Sequence, residues 1–77
     1  MKAHYVIDYN GLRTSPTIDI PEGLNIEQAL TYTYGQMMLE YWTLDTPPPH
    51  AIFIDDGSGY KRRAGDKAVA KYLTDKP

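Results

Sequence analysis

Along "AHYVIDY" the side chains alternate, with Ala3, Tyr5, Ile7 and Tyr9 pointing one way and His4, Val6 and Asp8 the other. That period of two is the signature of a strand with one face on a core. Asn10-Gly11 follows, the dipeptide best suited to the two positive-φ positions of a tight hairpin. Folding the chain back there sets Tyr9 against Leu12, Asp8 against Arg13, Ile7 against Thr14, Ala3 against Ile18 and Lys2 against Asp19. Opposite charges then share one face and apolar partners the other, which supports the register. Pro16 cannot donate to a ladder, so the returning strand is expected at a sheet edge, or bulged.

"PEGLN" at 21–25 is a turn leading into a helix. Asn25 is suited to be its N-cap, Gln28 completes a capping box, and Glu27 favours the positive helix end. The helix is predicted from Ile26 to about Leu44, where Asp45 and the prolines at 47–49 stop it. "AIFI" at 51–54 reads as a short central strand, "DDGSG" at 55–59 as a turn and "YKRR" at 60–63 as a returning strand. "GDKAVAKYLTD" at 65–75 reads as a short final helix capped by Asp66, with Val69, Leu73 and Tyr72 inward. The order ββαββα predicts one α+β domain over residues 1–77. Its form is a small two-layer sandwich, an antiparallel sheet of about four strands against one long and one short helix.

The long helix carries more apolar surface than one packed face needs. At about 100° per residue, Ile26, Leu30, Thr33, Met37, Tyr41 and Leu44 form a sheet-facing stripe. Tyr32, Met38, Leu39 and Trp42 fall elsewhere, with Gly35 among them. Three uses of this second set compete: cover by the final helix or the 46–50 linker, a homodimer, or a different macromolecular partner. Trp, Tyr and Met suit interfaces, because they bury large or adaptable surface.

The 77 residues include no cysteine, which excludes disulfides, thiolate metal sites and a cysteine nucleophile. No apolar run approaches the roughly 18 residues of a membrane span, and Asp8 interrupts what would be the core of a signal peptide. A cytoplasmic location is the expectation. The net charge of −2 conceals an uneven distribution. Residues 1–56 hold two cations, Lys2 and Arg13, against eight carboxylates, whereas residues 57–77 hold six cations against Asp66 and Asp75. Either end can steer a partner.

Candidate chemistry is sparse. His50 lies close in sequence to Asp55 and Asp56, an arrangement from which a base or half a metal site can be built. No HxH, HExxH or calcium-loop spacing accompanies it, and Ser15 and Ser58 have no base at a fixed spacing. The expectation is no catalytic residue, no metal and no cofactor. "GSGYKRR" offers Gly57 and Gly59 amides to a phosphate, Tyr60 as a stacking face, and charge from Lys61, Arg62 and Arg63. It lacks P-loop and GxGxxG spacing, and the net acidity of the chain opposes nucleic acid.

"TIDIPEGLNIEQALTYT", following a β-hairpin, is similar in layout to the start of HicB-type antitoxins. In those a strand and a Pro/Gly turn lead to a helix opening with an acidic-Ala-Leu pattern. The similarity covers about residues 1–40; the turn here is "PEGLN" in place of the fuller Pro-Asp-Leu-Pro-Gly. It transfers no site. In size, acidity and lack of chemistry the chain also resembles small phage-encoded inhibitors such as anti-CRISPR proteins, without a shared motif.

The leading expectation is a non-enzymatic protein-binding module, an inhibitor or modulator that occupies the surface of another protein or a ribonucleoprotein complex. Its apolar anchors are Tyr32, Met38, Leu39 and Trp42, and Asp45, Asp55 and Asp56 are acidic contacts toward a basic target. A nucleic-acid-binding module using Tyr60, Lys61, Arg62 and Arg63 is the alternative. No membrane role is expected.

Overall fold

In the computed structural model, which describes residues 1–67 and Val69, the hairpin forms as the alternation requires. Strand β1 (Lys2–Tyr9) turns at Asn10 and Gly11, with φ of 53° and 75°. It pairs antiparallel with β2 (Leu12–Thr14) and then β3 (Thr17–Asp19). Every expected pair is present, from Tyr9 with Leu12 to Lys2 with Asp19. Asp8 and Arg13 face each other and form a 2.7 Å ion pair.

Pro16 lies opposite Tyr5, at a position where both residues would normally exchange hydrogen bonds. Only the Tyr5 amide can donate, at 3.4 Å to the Pro16 carbonyl. The missing donor splits the returning strand into β2 and β3, but the register carries through without a slip. β4 (His50–Asp55) lies on the other side of β1, and β5 (Tyr60–Gly65) completes the order β2-β1-β4-β5, with β3 also on β1. Between Ile52 and Phe53 the β4–β5 register shifts by one residue, leaving Arg63 as the extra residue of a bulge.

Helix α1 (Ile26–Glu40) begins with the capping box. The Gln28 amide donates to Asn25 Oδ1 at 2.8 Å, and the Asn25 amide donates to Gln28 Oε1 at 2.9 Å. Ala29, Thr33 and Met37 are its buried stripe. Thr33 is tolerated there because its hydroxyl donates to the Ala29 carbonyl at 2.8 Å. The helix ends at Glu40, four residues short of the expected Leu44. Tyr41, Trp42 and Thr43 are poor helix formers, and the chain turns through a Leu44-to-Tyr41 amide–carbonyl bond instead. Leu44 is therefore not part of the helical stripe.

Two apolar clusters occupy the two faces of the sheet. Ala3, Tyr5, Ile7, Ile52 and Ile54 meet Ile20, Ala29 and Met37 on the α1 side. Val6, Ala51 and Phe53, at the alternate positions, meet Val69. The expectation of helices on one face alone is thus corrected, because Val69 packs on the face opposite α1. The short helix expected over 65–75 falls largely outside the described residues, and α1 is the one helical element described.

Glu40 stands at the helix C-terminus, where the macrodipole disfavours a carboxylate. The Tyr5 hydroxyl compensates by donating to Glu40 Oε1 at 2.9 Å, which ties the helix exit to β1. Burial, then the Glu40 bond and charge, push the Tyr5 phenol up to about 12. The unfolded chain ionises Tyr5 near the ordinary value of about 10. Its contribution is therefore complete below pH 10 and lost as the pH rises from about 10 toward about 12. Tyr5→Phe is expected to lower stability by about 1 kcal/mol at neutral pH. It should also flatten the alkaline fall of the urea midpoint relative to wild type.

Gly65 has φ of 113°, and a Cβ there would collide with the His50 carbonyl and the Ala51 Cα of the neighbouring strand. Both defects act on backbone that cannot move without opening β4–β5. Gly65→Ala is expected to cost at least about 2 kcal/mol, read from urea denaturation; an unchanged midpoint would show that the strands can separate there freely.

Candidate functional site

The sheet outruns the helix at one end. Tyr9 and Leu12 have the same parity as the α1-facing core residues, yet they lie at the hairpin tip, where no helical turn covers them. The Tyr9 ring meets the Tyr41 ring edge-on at 5.5 Å, joining the hairpin tip to the helix exit. Leu12, paired with Tyr9, is 70% exposed, and Trp42, next to Tyr41, is 76% exposed. Leu39, in the last helical turn, is 67% exposed. Hairpin tip and helix exit therefore share one apolar end.

The four expected anchors divide. Leu39 and Trp42 point to solvent, whereas Tyr32 and Met38 are half-buried against the main core. Tyr32 also borders a shallow, open depression shared with Glu27, Gln28 and Thr31. Tyr9, Leu12 and Tyr41 were not among the candidates read from the sequence. Their signal was the alternation itself, which continues to the hairpin tip while the helix stops at Glu40.

Of the expected acidic contacts, Asp45 is exposed beyond the helix, but Asp55 and Asp56 build the β4–β5 turn. Asp55 Oδ1 accepts from the Gly57 amide at 2.8 Å and the Gly59 amide at 3.0 Å. The phosphate cradle expected from those amides is therefore not formed, because the loop's own carboxylate takes both donors. Asp56 Oδ1 accepts from the Ser58 hydroxyl at 2.7 Å and the Ser58 amide at 3.2 Å, and Oδ2 faces Arg63 at 3.5 Å. The Ser58 bonds, ahead of the nearby cations, hold the Asp56 carboxyl below its ordinary value.

The basic residues do not converge either. Tyr60 opposes Asp55 and Arg62 opposes Phe53 on the face away from α1, whereas Lys61 opposes Ile54 on the α1 side. Arg62 donates to the Gly65 carbonyl at 3.3 Å and Arg63 folds onto Asp56. One side of the Tyr60 ring is stacked on His4, with centroids 4.3 Å apart, and His4 also meets Phe53 at 5.1 Å. Burial holds the His4 imidazole below its ordinary value, which favours the uncharged ring within this stack.

His50 stands at the start of β4 and Asp55 at its end, a separation of roughly 17 Å along a strand. The suggested His–carboxylate site is thus not assembled. His50 Nδ1 lies 2.8 Å from the Pro48 carbonyl, and its ring meets Tyr34 edge-on at 5.8 Å. Among the described residues no group of three or more His, Cys, Asp or Glu could hold a metal ion, and no helix is long and apolar enough to cross a membrane.

Charge separates by layer. No Lys or Arg occurs from Thr14 to Tyr60, so α1 and its flanks carry Glu22, Glu27, Glu40 and Asp45 with no cation of their own. All four are exposed. The described cations lie on the strands and just after β5.

Compared with known proteins, the chain matches no family model, no curated protein and no solved structure, so the HicB-like layout of residues 1–40 contributes no site and no activity.

Proposed function

We propose that this protein is a non-enzymatic binding module that occupies the surface of a larger protein or ribonucleoprotein complex, as a small inhibitor or modulator. The observation that carries the reading is the exposure of Trp42, 76%, beside a backbone fixed by the Tyr9–Tyr41 contact. An indole held on a defined scaffold buries a large area at low conformational cost when a partner closes over it. Leu12, paired with Tyr9, and Leu39, in the last helical turn, are also exposed, and Glu40 and Asp45 precede and follow Trp42 in the chain. The nucleic-acid alternative has weaker support, because Tyr60, Lys61, Arg62 and Arg63 are spread over two faces and one turn.

Trp42→Ala separates the reading from a covered core. Truncating an exposed side chain changes stability by less than about 0.5 kcal/mol, whereas a core Trp costs about 3–5 kcal/mol. The melting temperature is expected to stay near wild type, while immobilised Trp42→Ala loses a partner that wild type retains from a cell extract. An Arg62→Ala/Arg63→Ala variant is expected to keep that partner. A collapsed melt, or capture lost only in the arginine variant, would overturn the proposal.

A further inference from the structure

Resting on that reading, we infer that the outward face of α1 is the seat for a basic segment of the partner protein, whose backbone approaches at Gly35. Glu27, Thr31, Gly35 and Leu39 follow at four-residue intervals and so form one line along the helix. All four are exposed, and Trp42, also exposed, follows two residues after the helix ends.

Gly35 is the informative member. A glycine inside a helix costs up to about 1 kcal/mol relative to Ala, and such a cost is normally offset by a close packing contact. Here a Cβ would meet nothing within 4 Å, so no neighbour among the described residues requires its absence. Gly35 therefore exposes bare backbone between Thr31 and Leu39, one turn beyond Thr31, which itself borders the depression lined by Glu27, Gln28, Thr31 and Tyr32.

Charge decides the occupant. Glu22 and Glu27 flank one end of the helix and Glu40 and Asp45 the other, with no cation from Thr14 to Tyr60. A second copy docking face to face would set these carboxylates against their equivalents, which costs association energy. A lysine- or arginine-bearing segment meets complementary charge at both ends and apolar contact at Leu39 and Trp42. The occupant is therefore a basic, amphipathic segment of the partner protein and not a second copy docked through this same face.

The test uses the isotopically labelled full chain and two synthetic amphipathic helical peptides of equal length, one of leucine and lysine and one of leucine and glutamate. The lysine peptide is expected to shift the amide resonances of residues 27–42, to weaken at high salt, and to bind more tightly than the glutamate peptide. Gly35→Gln covers the bare backbone without adding charge and improves helix propensity. It should therefore raise the melting temperature while weakening the lysine peptide by at least about fivefold. Equal binding of both peptides, shifts centred on β5, or a sedimenting dimer of the chain alone would overturn the inference. If Gly35→Gln binds as wild type while Trp42→Ala does not, the seat at Gly35 is wrong and the Trp42 surface stands. If both variants bind as wild type, the surface itself is wrong.

Discussion

Because β1 is bonded along both edges, to β2 and β3 on one side and β4 on the other, its side chains must find cover above and below the sheet. That constraint orders the remaining elements. Ala3, Tyr5 and Ile7 need a helix, and α1 supplies Ala29, Thr33 and Met37 over them. Val6 and the neighbouring Ala51 and Phe53 need a second cover, and Val69 supplies part of it. Among the described residues neither cluster is large, and 77 residues leave little buried area to spare. Leaving Trp42 and Leu39 uncovered is then a substantial forfeiture of burial, which is why their exposure carries functional weight.

The sheet edges show how contact with other proteins is limited. An open edge offers unpaired backbone groups to any extended chain. On the β2–β3 edge Pro16 interrupts the run, and on the other the Arg63 bulge and the exposed charges of Lys61 and Arg62 break the flat ladder. Strand addition is disfavoured at both. On the proposed reading a partner is engaged through side chains, and the apolar end at Tyr9, Leu12, Tyr41 and Trp42 offers large ones.

Much of the fold was legible because local chemistry and global packing agree. The Asn10-Gly11 turn fixes a register that charge pairing and apolar alternation independently support, and the Asn25–Gln28 box marks the helix start without ambiguity. The helix end was less legible. Apolar periodicity continues through Tyr41 and Leu44, so it cannot reveal that the Tyr41 ring turns aside to meet Tyr9. The same contact hid half of the candidate site, since Tyr9 and Leu12 have core parity and become surface only because the helix stops. The turn role of Asp55 and Asp56 was hidden for a related reason: a sequence shows carboxylates but not which nearby amides they accept from.

The acidic layer and the exposed aromatic end have different physical consequences, and a binding module benefits from both. Carboxylates without neighbouring cations project a field beyond the surface, which accelerates encounter with a basic partner and weakens as salt rises. They add little once contact forms, because exposed ion pairs are individually weak. Residence in a complex depends instead on burial, and for the proposed surface Trp42 and Leu39 are exposed apolar residues that can supply it. Had the cations of β5 been interleaved along α1, the field would cancel and the apolar end would be equally available to any greasy surface, including a second copy. Concentrating the cations on the strands keeps the helix layer acidic, so the residues proposed to attract a basic partner would also oppose self-association through this face.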